Sequence, residues 1–242
     1  MTEGEGVKAV RDKTIQPRRT SRWFQLCLLA TLGSVMFVGW HFRTSPRLWT
    51  MIHRYGEIAP LAMQGGDPYL RALMRTISAS EANDPSPYTI LYGGGHIHDL
   101  SQHPDRCLPI VNGPNLGNCT TAAGRYQFLS STWLEKAKLY HPSPSGLWLW
   151  QSYSFEPQYQ DQVVYAWLSD RQAWGIDIPQ LLRQGKLQPV LQELSGTWTS
   201  LGYGIEDNLI TPSLGKIYRQ MLAQEKAKAS SAPRSKIGLG PS

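Results

Sequence analysis

The stretch "LRALMRTISASEANDPSPY", residues 70–88, decides how the chain is read. Leu70, Leu73, Met74 and Ile77 recur at i, i+3, i+4 and i+7, the stripe of a helix with one face in a core. Asp67 and Pro68 just before it supply an N-cap and a first helical residue. Asp84-Pro85-Ser86-Pro87 cannot continue a helix, so the pattern predicts an end near Asn83. Glu81 follows Leu70 by eleven residues, and eleven steps of 100° return it to within about 20° of the same face. Its carboxyl therefore sits on the buried stripe, in the last turn, beside a loop. Partial desolvation and the negative end of the helix dipole both disfavour the anion there. A carboxyl kept protonated beside a cleft is what a general acid requires; a glutamate that simply reaches solvent from a helix end is the plainer alternative.

Outward from this helix, charge is distributed unevenly. The net charge is +6. Residues 1–22 hold six Lys/Arg against three acids, residues 223–242 hold four against one, and residues 43–222 hold fourteen of each. The excess belongs to the two ends, which argues against a nucleic-acid groove in the folded domain. Residues 23–42, "WFQLCLLATLGSVMFVGWHF", contain no Lys, Arg, Asp or Glu, and a helix of that length matches the roughly 30 Å core of a bilayer. Aromatic residues at both ends and the basic run before them predict a single-pass membrane anchor, with the N-terminus cytoplasmic and the catalytic domain extracytoplasmic, in a periplasm. A cleaved secretory signal is the alternative, and either form exports the domain. Cys107 and Cys119 flank "CLPIVNGPNLGNC" in that oxidising setting, and a disulfide between them is expected, against two free thiols.

The organisation read from pattern is a basic tail (1–22), the anchor (23–42), a linker (43–66), one catalytic domain (67–225) and a disordered basic tail (226–242). Within the domain "YTILYGGGHIHDL" predicts strand, turn and strand, and 101–120 a loop. Residues 121–130 read as a last strand or an extended lead-in to a helix. Thr132 with Glu135 reads as a capping box. One long helix is expected over "EPQYQDQVVYAWLSDRQAWG", ending at Gly175, with short helices at 177–184 and 187–195 and a terminal helix at 212–226. The fold class is α+β, mainly helical, with a small antiparallel sheet near the start of the domain.

Aromatic rings pack on the C–H faces of sugars and amides read N-acetyl groups, so Tyr88, Tyr92, Tyr126, Gln127, Tyr203 and several Trp suit a glycan, although each alone is more often core. Their order is more informative. Ser80-Glu81, Tyr88 five residues before Gly93-Gly94, Asp99 with Ser101, His103 and Pro104, Gly124-Arg125-Tyr126-Gln127, Gln160-Asp161 and Gly202-Tyr203-Gly204 together resemble the lambda-type phage endolysins. These are lysozyme-like murein transglycosylases. The resemblance covers residues 70 to about 212.

It implies a lysozyme-like fold with Glu81 as the sole catalytic acid/base, and Tyr126 and Gln127 binding the sugar chain. Tyr88, Gly94 and Tyr203 would line the same cleft. The implied reaction cleaves the β-1,4 bond between N-acetylmuramic acid and N-acetylglucosamine and leaves a 1,6-anhydromuramoyl end. The partner is then the peptidoglycan glycan strand, with no cofactor, no metal and a monomeric domain. The anchor, the cysteine pair and the tail depart from the phage pattern. Asp84 or Asp99 could serve as the second carboxylate of a hydrolytic muramidase. Two further readings are a zinc hydrolase built on His96 and His98 with His103 or Asp99, and a glycan-binding protein without catalysis.

Overall fold

The computed structural model describes residues 58–111, 113, 115–146, 151–204 and 209–231. The expectations for the basic tail at 1–22, for residues 23–42, for 43–57 and for 232–242 lie outside the described residues. Placement in a cell membrane is nevertheless corrected, because among the described residues no helix is long and apolar enough to cross one.

Helix α1 (Pro68–Glu81) begins as its sequence dictates, with the Asp67 carboxylate accepting from the Tyr69 N–H at 2.7 Å. It ends at Ala82, whose N–H donates to the Ser78 carbonyl at 2.8 Å, just before the proline loop. The single stripe understates its burial: every residue from Leu70 to Ser80 is buried. Each of Leu70, Leu73, Met74 and Ile77 contributes about 2 kcal/mol by leaving water. The polar residues among them need partners, and the terminal helix α7 (Leu214–Ser231) provides one. Its buried Glu225 accepts from Arg71 Nε at 2.6 Å and from Arg75 Nη1 at 3.0 Å. Helix α7 is accordingly the element packed most extensively on α1.

The predicted strand-turn-strand at 88–100 is replaced by two short 3-10 turns, Pro87–Thr89 and Tyr92–Gly94, and a lone antiparallel bridge between Ile90 and His96. Three consecutive glycines turn the chain too tightly for a longer ladder. Leu91 bridges to Ala123, which bridges to Phe128, so residues 121–128 complete a cluster of bridges without a regular strand. The ladder lies instead in the stretch read as loop. Strands β1 (Leu108–Pro109) and β2 (Cys119–Thr120) pair antiparallel, Leu108 with Thr120 and Pro109 with Cys119. The Cys107–Cys119 disulfide closes this hairpin, Cα to Cα 5.3 Å.

Helix α2 (Ser130–Tyr140) starts before the expected capping box, with Leu129 at the N-cap. Thr121 Oγ1, from the neighbouring segment, accepts from the Ser130 N–H at 3.0 Å and takes over the capping role. The long helix expected to reach Gly175 breaks at Asp170, giving α3 (Pro157–Ser169) and α4 (Arg171–Trp174). Asp170 causes the break: its carboxylate accepts from Gln172 N at 2.8 Å and Ala173 N at 3.3 Å, an N-cap inside the apparent run. Helices α5 (Ile178–Arg183) and α6 (Leu187–Leu194) follow as expected. Helix α7 runs on to Ser231, beyond the predicted start of the tail.

Residues 58–66, expected as linker, pack on the domain. Ile58, Leu61 and Met63 are buried. Their segment has no periodicity and is held through its backbone: the carbonyls of Ile58, Ala59, Pro60 and Met63 accept from the buried guanidinium groups of Arg75, Arg125 and Arg71.

Candidate active site

The C-terminal turn of α1 opens into a cleft of about 460 Å³. Ser80 and Glu81 form its α1 side, the disulfide-closed hairpin contributes Ile110, Asn115 and Thr120, and the remaining boundary comes from Tyr92, Ala122, residues 126–129, Thr132 and residues 197–200. Glu81 is half-buried. The Ser200 hydroxyl donates to Glu81 Oε1. Ser80 Oγ donates toward Ser200 Oγ at 2.7 Å and the Ser200 carbonyl at 3.1 Å.

Of the residues expected at the site, the structure brings Glu81, Tyr126 and Gln127 onto one cleft. Tyr126 takes part differently from the expectation. It is 1% exposed, and its hydroxyl points into the interior, donating to Asp161 Oδ1 at 2.6 Å. Asp161 also accepts at Oδ2 from the Tyr88 hydroxyl at 2.7 Å and from the N–H groups of Ala62 and Met63 at 2.7 and 3.1 Å. Arg125 completes the group: Nη1 donates to Tyr88 Oη at 2.8 Å, and the guanidinium lies 5.0 Å from the centroid of the Tyr88 ring. Arg125 and Asp161 are both 0% exposed. Such a pair is tolerable in an interior only when most of its hydrogen-bonding capacity is met; here both terminal nitrogens of Arg125 donate, while its Nε is buried without a partner among the described residues. Burial, followed by the Asp161 charge, pushes the Tyr126 phenol well above its ordinary value. Burial raises Tyr88 as well. Both phenols therefore remain protonated donors.

The four-residue motif at 124–127 thus has one structural end and one cleft end. Gly124 has φ +72°, and a Cβ there would fall 2.4 Å from Gln160 Oε1 and 2.7 Å from Phe155 Cζ. Gln160 uses that oxygen to accept from the Arg125 N–H at 2.9 Å. Gln127 sits in the left-handed region at φ 47° and returns its Nε2 to the Gly124 carbonyl at 3.0 Å. A non-glycine residue held there marks a local conformation imposed by its surroundings.

Tyr88, Gly94 and Tyr203 do not line this cleft. Tyr203 is 51% exposed and donates to Gln188 Oε1 at 2.8 Å. Asp84 borders a separate cavity of about 190 Å³ and accepts from Ser86 N at 2.7 Å. Asp99 is exposed and accepts from Ser101 N at 2.9 Å; hydrogen bonds from Ser101 hold its pKa below the ordinary value. Glu81 is therefore the single carboxylate among the described residues lining the cleft. His96, His98 and His103 do not form a metal centre: both ring nitrogens of His103 are engaged, Nε2 with the Phe128 carbonyl at 2.8 Å and Nδ1 with Asp105 N at 3.1 Å. No group of three His, Cys, Asp or Glu side chains among the described residues is arranged to hold a metal. Trp167 stacks on Trp174 at 4.9 Å and lies tilted against Trp198 at 5.4 Å; all three are buried and are not a row of sugar platforms.

Sequence reasoning missed Ser200 and its neighbours Thr197 and Thr199, together with Asn115 and Thr120 of the hairpin. The available signal was the crowding of Ser, Thr and Gly in "SGTWTSLGYG" (195–204), polar and small where a helix-rich chain would otherwise place a stripe.

A small cluster of antiparallel bridges and a helical body around a buried central helix, with an acidic residue at the end of that helix, define a lysozyme-like α+β protein. The family model described as Endolysin matches residues 71–224, and the chain belongs to the endolysin family, the lysozyme-like glycosidases that cleave peptidoglycan. Two solved structures of lysozyme from bacteriophage lambda are similar. One, in complex with a chitohexasaccharide, is 24% identical with a TM-score of 0.49, covering 66% of this chain and 97% of its own. The other is 22% identical with a TM-score of 0.45, covering 68% and 96%. A search of curated proteins returns no match.

Proposed function

We propose that this endolysin is a lytic transglycosylase acting on the glycan strands of peptidoglycan, with Glu81 as its acid and base. The observation that carries the reading is that the cleft presents one carboxylate among its described lining residues. Hydrolysis by a pair of carboxylates calls for a second one roughly 5 to 10 Å away, and Asp84 and Asp99 border other cavities. One carboxyl suffices for intramolecular transfer. Glu81 gives its proton to the glycosidic oxygen as the bond from muramic-acid C1 breaks. The resulting carboxylate then takes the proton of the muramoyl C6 hydroxyl as that oxygen bonds to C1. The enzyme ends in its starting protonation state, and the product carries a 1,6-anhydro ring. The N-acetyl group of the substrate stabilises the positive intermediate. Gln127, fixed by its backbone, and the hairpin residues Asn115 and Thr120 supply the amide and hydroxyl groups that would read the sugar chain.

Mass analysis of muropeptides released from purified murein tests this. Anhydro ends, lighter by one water than hydrolysed ends, are expected, and Glu81→Gln should release none while the protein stays folded. Reducing muramic ends would reject the transglycosylase in favour of a muramidase.

A further inference from the structure

We propose that Ser200 is the positioning residue of the acid/base, fixing which oxygen of Glu81 carries the mobile proton. The inference rests on Glu81 being that acid/base. Ser200 receives the Ser80 hydroxyl at 2.7 Å and so has its own proton to give, which it directs to Glu81 Oε1. An oxygen that accepts from Ser200 is the carbonyl-like oxygen of the protonated acid, so the acidic proton belongs on Oε2. The same hydrogen bond serves the carboxylate form. No donor has to turn between the two halves of the reaction, which is the advantage of a preorganised site.

The surrounding chain is built to hold this hydroxyl. Ser200 lies in the 3-10 turn Thr199–Leu201 and is buried. Its carbonyl accepts from Thr211 Oγ1 at 2.9 Å. The Gly-Tyr-Gly sequence that follows has no side chain on the cleft, and its role is steric. A Cβ on Gly202 would meet Thr211 Cγ2 at 2.6 Å, and one on Gly204 would meet the Thr199 carbonyl oxygen at 2.3 Å. These glycines let the chain fold back onto the turn that carries Ser200. The other titratable side chains on the cleft, among the described residues, are Tyr92 and Tyr126, and the Tyr126 hydroxyl is committed to Asp161.

The test is the pH dependence of murein cleavage by purified Ser200→Ala, Ser200→Thr, Ser80→Ala and Glu81→Gln proteins. Loss of a hydrogen bond to a charged acceptor should lower kcat/KM about tenfold in Ser200→Ala and move its alkaline limb upward by about one pH unit, because the anion has lost its donor. Murein binding should be unchanged. Ser200→Thr keeps the hydroxyl and should restore both rate and profile. Ser80→Ala should shift the limb in the same direction by less, and this variant decides the matter if Ser200→Ala does not fold. An unmoved profile in folded Ser200→Ala, or in Ser80→Ala where Ser200→Ala fails to fold, overturns the proposal. An active Glu81→Gln overturns the reading of Glu81 itself, whereas an inactive Glu81→Gln beside an unaltered Ser200→Ala overturns the role of Ser200 alone.

Discussion

Replacing Tyr126 by Phe separates a sugar-binding tyrosine from one that holds the fold together. The ring volume is kept, so the change leaves no cavity, and the loss is confined to the hydroxyl and its 2.6 Å bond to Asp161 Oδ1. Asp161 retains Tyr88, Ala62 and Met63 as donors. The cost is that of one buried hydrogen bond to an ionised acceptor, about 2 kcal/mol. For a domain of this size, each kcal/mol lowers Tm by roughly 2 to 4 °C, so a fall of about 4 to 8 °C is expected. Thermal unfolding followed by circular dichroism, together with steady-state kinetics on murein, reads both quantities. The expected result is a lower Tm with KM within about twofold of wild type. A variant that melts like wild type while KM rises tenfold would refute the assignment and return Tyr126 to the substrate-binding wall.

Two further outcomes follow from the same contacts. Opening the disulfide with Cys107→Ser and Cys119→Ser should raise KM on murein more than it lowers kcat, since it loosens the hairpin carrying Ile110, Asn115 and Thr120 and leaves α1 intact; the lost constraint is worth about 3 kcal/mol in the loop-closure model. Burial pushes the Glu225 carboxyl up, but hydrogen bonds and charge from Arg71 and Arg75 outweigh it and bring its pKa below the ordinary 4.5. Its contribution to stability is therefore complete above pH 4.5 and is lost as the pH falls through the lower folded value. In urea titrations across that window Glu225→Gln should lack this acid-side decline while being less stable at neutral pH by about 3 to 5 kcal/mol.

The parts of this protein that are legible in its sequence are those set by near neighbours. Asp67 and Pro68 start α1 and the prolines after Asp84 stop it, because caps and breakers act within a turn. Helices α5 and α6 were readable for the same reason. Thr132 failed as a cap because Thr121, nine residues before Ser130, reached the helix start first. The role of Tyr126 was hidden because its hydroxyl partner lies 35 residues away on α3. The membrane placement inferred from residues 23–42 rested on composition and found no spanning helix among the described residues to support it.

Three of the motif segments and the stretch 59–63 share one physical explanation. Residues 59–63, Tyr88, the 124–127 turn and Gln160-Asp161 belong to four segments, three of them without regular backbone ladders. A longer sheet would ordinarily satisfy their peptide groups and fix their spacing. Here Arg125 and Asp161 do so with side chains: Arg125 takes the carbonyls of Ala59 and Pro60, Asp161 takes the N–H groups of Ala62 and Met63, and Gln160 takes the carbonyls of Tyr88 and Phe155. The chain between Gly124 and Phe128 is thereby held from below, which is what allows Gln127 to keep a left-handed backbone on the cleft. Tyr88 and Tyr126, which the resemblance implied as sugar-binding residues, therefore owe their hydroxyl placement to a buried network, and substitutions within it should disturb stability before they disturb substrate affinity.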